Sequence, residues 1–148
     1  MSDAAVALRA LLADASQCGA YYVDARDRES LAAAARGLEF ALAPLDFAGC
    51  ASKDDVLARF ARALKFPEWF GGNWDALADC LSDLSWWPAP GYVLLLEHVD
   101  AWRTAQPQLY DTVLAILEDA AAAWTRQRKP FWALMPLPAD ALATLDAD

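Results

Sequence analysis

The sequence predicts an α/β domain in which helices pack on a parallel sheet, and three observations support this fold class. Short apolar runs alternate with longer amphipathic segments, which favours parallel strands joined by right-handed crossovers. The run YVLLLE at 92–97 is apolar almost throughout, as expected of a strand covered on both faces. A chain of 148 residues, 57% of them hydrophobic, is of a size to form one core.

The N-terminal part shows both helix and strand signals. Ala- and Leu-rich segments at 4–14 and 29–36 predict helices, and AYYV at 20–23 is a candidate short strand between them. The next segment, 39–47, predicts a strand, although Pro44 within it lacks a donor and favours a strand end or a sheet edge.

The rest of the chain continues the alternation. A capping signal at Ser52 opens a helix that ends before Pro67. The strand at 92–97 is expected to be central in the sheet. A long helix begins at Pro107, and FWALM at 131–135 is the last predicted strand.

The net charge of the chain limits the classes of partner that it can bind. There are 21 acidic against 12 basic side chains, which gives a formal net charge of -9. This balance disfavours direct binding to nucleic acid phosphates, because that mode requires clustered Lys and Arg. A basic partner is the better expectation, and no motif predicts a cofactor or a metal site.

The cysteine spacing and the N-terminal residues indicate the cellular compartment in which the protein is expected. Cys18, Cys50 and Cys80 are widely spaced without a CxxC pair, so we expect free thiols. The chain starts with acidic Asp3 where a secretory signal would be basic, and Arg9 interrupts the apolar run that follows. No later segment is apolar and long enough to cross a bilayer. We therefore expect a cytoplasmic protein without a membrane anchor.

The segment NWDALADCLSDL at 73–84 carries the most informative pattern. Asn73 is a good N-cap, so a helix is expected from about Trp74. Asp75, Asp79 and Asp83 then recur at four-residue spacing on one face, where like charges cost about 0.2 to 0.5 kcal/mol per pair. No Lys or Arg occurs from residue 66 to residue 102. Unpaired acids beside two aromatic residues, Trp69 and Phe70, indicate a surface for a cationic partner.

The run PEWFGGNWDALADCL at 67–81 resembles the inhibitory loop and helix of the barstar family, the inhibitors of the ribonuclease barnase. The family pattern reads Pro-Glu-aromatic-aromatic-Gly-x-Asn-x-Asp-Ala-Leu-x-Asp-Cys-Leu, and the likeness extends more weakly over about 39–136. It implies a barstar-like domain at 39–148 with a three-stranded parallel sheet packed with helices. Residues 1–38 would form a structured N-terminal helix and strand extension packed on the same domain.

The resemblance also implies a function. It suggests a non-enzymatic inhibitor, monomeric when free, that blocks the active-site cleft of a basic extracellular-type ribonuclease or nuclease toxin. By position, Asp79 matches the acid that enters the phosphate site, and Asp75 matches a neighbouring acid. The other partner-binding residues implied by the resemblance are Trp69, Phe70, Asn73, Ser82 and Asp119. Asp83 is added to them as the third acid on the same face of the predicted helix.

The match has four departures. The family's two tyrosines are Trp69 and Phe70 here, so their hydroxyl groups are absent. Ala78 stands where the family has a tryptophan that contacts the enzyme, and Gly72 replaces an acid. A nuclease other than barnase is therefore an equally good target.

Two other function classes remain open from the residues. An enzyme could use Asp75 with Asp79, or Glu97 with His98, as an acid/base pair, but no nucleophile motif or phosphate loop accompanies them. Alternatively, an immunity-type or acidic interaction module of the same fold could bind another toxin or basic partner. The Trp86-Trp87-Pro88 segment could also suggest a carbohydrate or peptide platform, although such residues more often pack in or near a core.

Overall fold

The computed structural model describes residues 3–146, which form a four-stranded parallel sheet with helices on both faces. The strands are β1 (Ala20–Asp24), β2 (Ala41–Asp46), β3 (Tyr92–Glu97) and β4 (Phe131–Leu137). The helices are α1 (Asp3–Leu12), α2 (Arg28–Gly37), α3 (Lys53–Leu64), α4 (Trp74–Asp83), α5 (Val99–Ala105), α6 (Pro107–Arg126) and α7 (Ala139–Asp146).

The strand order is β1-β4-β3-β2, so the N-terminal strand lies at one edge and the proline-containing strand at the other. β3 is central as expected, with Tyr92 aligned to Ala41 of β2 and to Phe131 of β4. Pro44 is exposed in the edge strand β2, where a missing donor breaks no sheet hydrogen bond.

The resemblance predicted a three-stranded sheet, and this number is wrong because the sheet has four strands. β1, from the N-terminal extension, pairs in parallel with β4 from Ala20 opposite Ala133 to Asp24 opposite Leu137. All seven residues of β4 are buried, so β4 needs a neighbour on each side as well as cover on each face. β1 supplies that neighbour.

The sheet separates two hydrophobic clusters. Tyr92, Leu94 and Leu96 of β3 face the larger cluster, which they form with α3, α4, α5 and α6. Val93 and Leu95 face the smaller cluster, formed with α1 and α2. The alternation of β3 side chains therefore places the acidic helix α4 and the N-terminal helices on opposite faces of the sheet.

Candidate partner-binding site

The loop before α4 is held by an indole that donates to the preceding helix. Trp86 Nε1 donates a 3.0 Å hydrogen bond to the Leu64 carbonyl, in the last turn of α3. The Trp86 ring then meets Phe66 at 5.7 Å and Trp69 at 6.0 Å between centroids, both edge-on. Trp69 is nevertheless 62% exposed, so the loop presents one large aromatic surface to solvent.

The two aromatic residues of the loop, Trp69 and Phe70, point in different directions, one towards solvent and one towards the core. Phe70 is half-buried against the larger core cluster, and its ring meets Phe66 edge-on at 4.9 Å. Trp69 alone of the two is exposed. The sequence pattern alone does not indicate which of the two rings packs against the core and which is exposed to solvent.

The start of α4 is fixed by its cap. The Asn73 side-chain oxygen accepts a 2.7 Å hydrogen bond from the Ala76 N–H. Gly72, just before it, has φ of +67°, a left-handed conformation that favours glycine over the acid found in the family pattern. The cap sets the helix phase, so Leu77, Cys80 and Leu81 are buried and Asp75, Asp79 and Asp83 are exposed.

The carboxylates of α4 lack cationic partners. Elsewhere, acids on the surface pair with nearby arginines, as in Asp55 with Arg59 at 2.9 Å and Asp100 with Arg103 at 2.8 Å. Within residues 3–146, the side chains of Asp75 and Asp79 make no hydrogen bond or ion pair, and the Asp83 carboxylate accepts only from the Ser85 hydroxyl at 3.2 Å. The self-repelling face predicted from the sequence is therefore present.

The negative face affects a buried thiol beneath it. Cys80 is fully buried in α4, and burial raises the pKa of its thiol to about 11. The charges of Asp83 and Asp79 act in the same direction. The thiol therefore remains protonated at neutral pH.

The other predicted contact residues lie on α4, at its cap and on the neighbouring helix α6. Asp119 is exposed on α6, the helix that packs against α4. Trp124 of α6 donates a 2.8 Å hydrogen bond from Nε1 to the Leu81 carbonyl of α4, which fixes one helix against the other. Ser82 is half-buried near the end of α4, and the cap residue Asn73 is exposed at its start.

The acid/base pairs considered from the sequence are not assembled as pairs. Glu97 is bonded to the Arg28 guanidinium, and His98 Nδ1 lies 2.7 Å from an Asp46 carboxylate oxygen. Among the described residues, the carboxyl groups of Asp75 and Asp79 share no hydrogen bond. Among the described residues, no cluster of His, Cys, Asp and Glu could hold a metal ion, and no helix is long and apolar enough to span a membrane.

A comparison with family models matches residues 40–136 to the family described as barstar (barnase inhibitor). The matched segment covers about two thirds of the 148 residues. The chain belongs to the barstar family. Within this barstar-family chain, the match extends from β2 to β4 and includes α4 with its aspartates.

Other comparisons give the fold of this barstar-family chain but not its activity. No curated protein matches the sequence. Among solved structures, the ORC2 protein of Aeropyrum pernix, described in ADPNP-ADP complexes, is similar with a TM-score of 0.58 and 17% identity. The similarity covers 98% of this chain but only 43% of that one. It is a likeness of α/β architecture alone.

The sequence pattern missed one residue that shapes the site. From the sequence, Trp86 could be either a packing residue or part of a binding platform. In the structure it holds the Trp69 loop in place, because its indole donates to the Leu64 carbonyl and its ring contacts Trp69. The two partners are 22 residues apart, and nothing local in the sequence pairs them. The adjacent Trp87 is half-buried and its carbonyl accepts a 2.7 Å hydrogen bond from the Tyr92 hydroxyl.

Proposed function

We propose that the protein inhibits a small basic ribonuclease by filling its active-site cleft with the exposed face of α4 and the preceding loop. The observation that carries the proposal is that Asp75 and Asp79 are exposed without a cationic partner, next to the exposed Trp69. Carboxylates in this arrangement can take the positions of RNA phosphates among the cations of such a cleft. The chain itself has no catalytic role in this proposal.

The rigidity of the surface supports this function. α4 is capped by Asn73 at its start and held by Trp124 near its end, while Trp86 holds the loop. A surface that is already ordered loses less conformational freedom on association, and the difference contributes to affinity. Binding would also relieve the repulsion among the three aspartates, because a partner's lysines and arginines neutralise it.

Each residue has a stated role in the proposal. Asp79, in the middle of α4, enters the phosphate site, and Asp75 and Asp83 contact cations on either side of it. Trp69 covers the edge of the contact, with Phe70 supporting the loop from the core. The remaining contacts are polar and come from Asn73, Ser82 and Asp119.

The departures from the family pattern favour a target other than barnase. Trp69 and Phe70 offer no hydroxyl groups, and Ala78 offers little contact area on α4. A related ribonuclease, or the nuclease domain of a toxin with a similar cationic cleft, fits these side chains. In that role the protein would act in the cytoplasm and protect cellular RNA from the nuclease.

The test is a titration of several small basic ribonucleases and toxin nuclease domains with the purified chain. We expect loss of activity that is complete at one inhibitor per nuclease, and no RNA cleavage by the chain alone. The association rate should fall as salt is added, because opposite charges steer the encounter. Asp54→Ala, at an exposed acid in the first turn of α3, is the matched control and should inhibit like the parent. Failure to inhibit any of these nucleases would contradict the proposal.

A further inference from the structure

A groove opens beside the acidic face of α4, where the starts of three helices come together. Its volume is about 410 Å³, and Lys53 of α3, Trp74 of α4 and Leu109 of α6 are among the residues that line it. Trp74 directly precedes Asp75, and neighbouring side chains on a helix diverge by about 100°. Trp74 is half-buried, whereas Asp75 is exposed. The groove therefore flanks the surface that we propose binds the nuclease.

The groove has a charge opposite to that of the face beside it. Lys53 Nζ lies 5.7 Å from the centroid of the Trp74 ring, a cation–π contact that holds the ammonium group near the ring. Lys53 is exposed and takes part in none of the salt bridges within residues 3–146. Among the described residues, no acidic side chain lines this groove. Its cation is therefore available to an anionic group from outside the chain.

Side-chain amides complete a site for a carboxylate. Gln106 and Gln108 line the groove at the start of α6. Each side-chain amide has two N–H donors, and a carboxylate accepts hydrogen bonds from both amides and ammonium groups. Trp74 and Leu109 supply apolar surface, against which the methylene groups of an acidic side chain can pack. The groove therefore fits the side chain of an aspartate or a glutamate.

We propose that this groove binds an acidic side chain of the nuclease, and that Lys53 pairs with its carboxylate. The inference rests on the proposed inhibition and adds to it a carboxylate beside the cationic cleft of the partner. An acidic surface alone would attract many basic proteins. A contact of the opposite charge beside it fixes the orientation of the partner and disfavours nucleases that carry a cation at that position. Lys53 is thus a specificity-determining residue.

The test measures how Lys53→Glu changes binding to the nuclease that the parent inhibits. Net charge alone predicts tighter binding, because the variant makes an acidic chain still more negative towards a basic partner. We expect the reverse. The dissociation constant should rise about tenfold or more, because repulsion replaces the contact between Lys53 and the carboxylate. Lys53→Arg, which keeps the cation, should bind nearly as tightly as the parent.

Arg36→Glu is the matched control for the change in net charge. Arg36 is exposed at the end of α2, which packs on the other face of the sheet, so its reversal should leave binding unchanged or tighten it slightly. Urea denaturation controls for folding, and Lys53→Glu should keep its stability because an acid suits the first turn of a helix. If Lys53→Glu binds as tightly as the parent or more tightly, this inference is wrong while the proposed inhibition stands. If the parent inhibits no nuclease, both are wrong.

Carbodiimide cross-linking of the complex identifies the group that Lys53 contacts. The reagent activates a carboxyl group, and the Lys53 amine then forms an amide with it and releases the reagent as a urea. We expect mass spectrometry after proteolysis to find Lys53 joined to an aspartate or glutamate of the nuclease. Lys65 and Lys129 are internal controls and should not be joined to the same residue. A complex that forms without a cross-link from Lys53 to the nuclease would overturn the inference.

Discussion

The indole of Trp124 donates a 2.8 Å hydrogen bond to the carbonyl of Leu81, which joins α6 to the last turn of α4. The last carbonyls of a helix have no partner within the helix, so this bond satisfies a group that would otherwise be buried and unpaired. It also sets Asp119 on α6 in a fixed position relative to the aspartates of α4.

Replacing this indole should destabilise the fold. Trp124→Phe keeps an aromatic ring but leaves the Leu81 carbonyl unpaired, and we expect the free energy of unfolding to fall by about 1 to 3 kcal/mol. Urea denaturation followed by circular dichroism measures the change. Trp69→Phe, a matched change at an exposed ring, should stay within about 0.5 kcal/mol of the parent. Equal effects of the two variants would contradict the role assigned to the hydrogen bond.

The N-terminal extension should stabilise the rest of the domain through Arg28. This side chain, at the start of α2, bonds to Glu97 at the end of the central strand, and that bond raises the pKa of the guanidinium. Arg28→Gln should lower the free energy of unfolding by about 1 to 2 kcal/mol, because the half-buried Glu97 loses its partner.

Two further variants separate this contact from a general charge effect. Arg36→Gln removes an exposed cation from the end of the same helix and should change stability little. Adding Glu97→Gln to Arg28→Gln should restore part of the loss, because the unpaired charge is gone. If Arg36→Gln is as damaging as Arg28→Gln, the bond to Glu97 is not the cause.

Stability should depend on pH through Asp24. Hydrogen bonds from the Arg26 guanidinium and backbone N–H lower the pKa of the Asp24 carboxyl from 3.8 to about 2. A folded-state pKa below the unfolded value stabilises the fold above about pH 4, and that contribution is lost as the pH falls towards 2. Parent and Asp24→Asn should therefore differ in denaturant midpoint at pH 5, and the difference should shrink as the pH falls through about 2. A difference that is constant over this range would exclude the ionised carboxylate as its source.

The three thiols should be free and unequal in reactivity. Cys50 and Cys80 are buried, and burial raises the pKa of both thiols, whereas Cys18 is only half-buried. With an alkylating reagent and no reductant, the native protein should be labelled first at Cys18. Unfolding should then expose all three thiols, as measured by mass spectrometry. An adduct missing after unfolding would indicate a disulfide and contradict this account.

Local patterns in the sequence predicted most of the single elements. The strand at 92–97 has the predicted bounds, because an unbroken apolar run of this length fits a strand covered on both faces. α4 begins at Trp74 as predicted, because Asn73 supplies a cap. The exposure of Asp75 and Asp79 follows from the spacing of the buried leucines.

Long-range features were not predictable in the same way. The pairing of β1 with β4 joins residues more than 100 positions apart, and no local pattern specifies that register. α5 was missed because it has seven residues and no side-chain cap at His98. α7 was missed because none of its described side chains is fully buried, so its apolar pattern is weak. The roles of Trp86 and Phe70 likewise depend on neighbours that only folding brings together.

The central claim is that the unpaired carboxylates of α4 block a nuclease, and Asp79 tests it most directly. Asp79→Ala leaves the partner's cations buried without a counter-charge. We expect a loss of about 2 to 5 kcal/mol in binding, the range known for close charge pairs at interfaces, that of barnase with barstar among them. The same change removes two repulsive contacts and improves helix propensity. Folding stability should therefore rise by a few tenths to about 1 kcal/mol.

The decisive measurement compares the parent, Asp79→Ala and Asp83→Ala in inhibition of the nuclease that the parent blocks, with urea denaturation of each variant. Asp83, which already accepts a hydrogen bond from Ser85 at the end of α4, is the matched control for a lost carboxylate on the same face. The account predicts that Asp79→Ala loses inhibition while its stability rises, and that Asp83→Ala loses much less. Undiminished inhibition by a folded Asp79→Ala variant would contradict it.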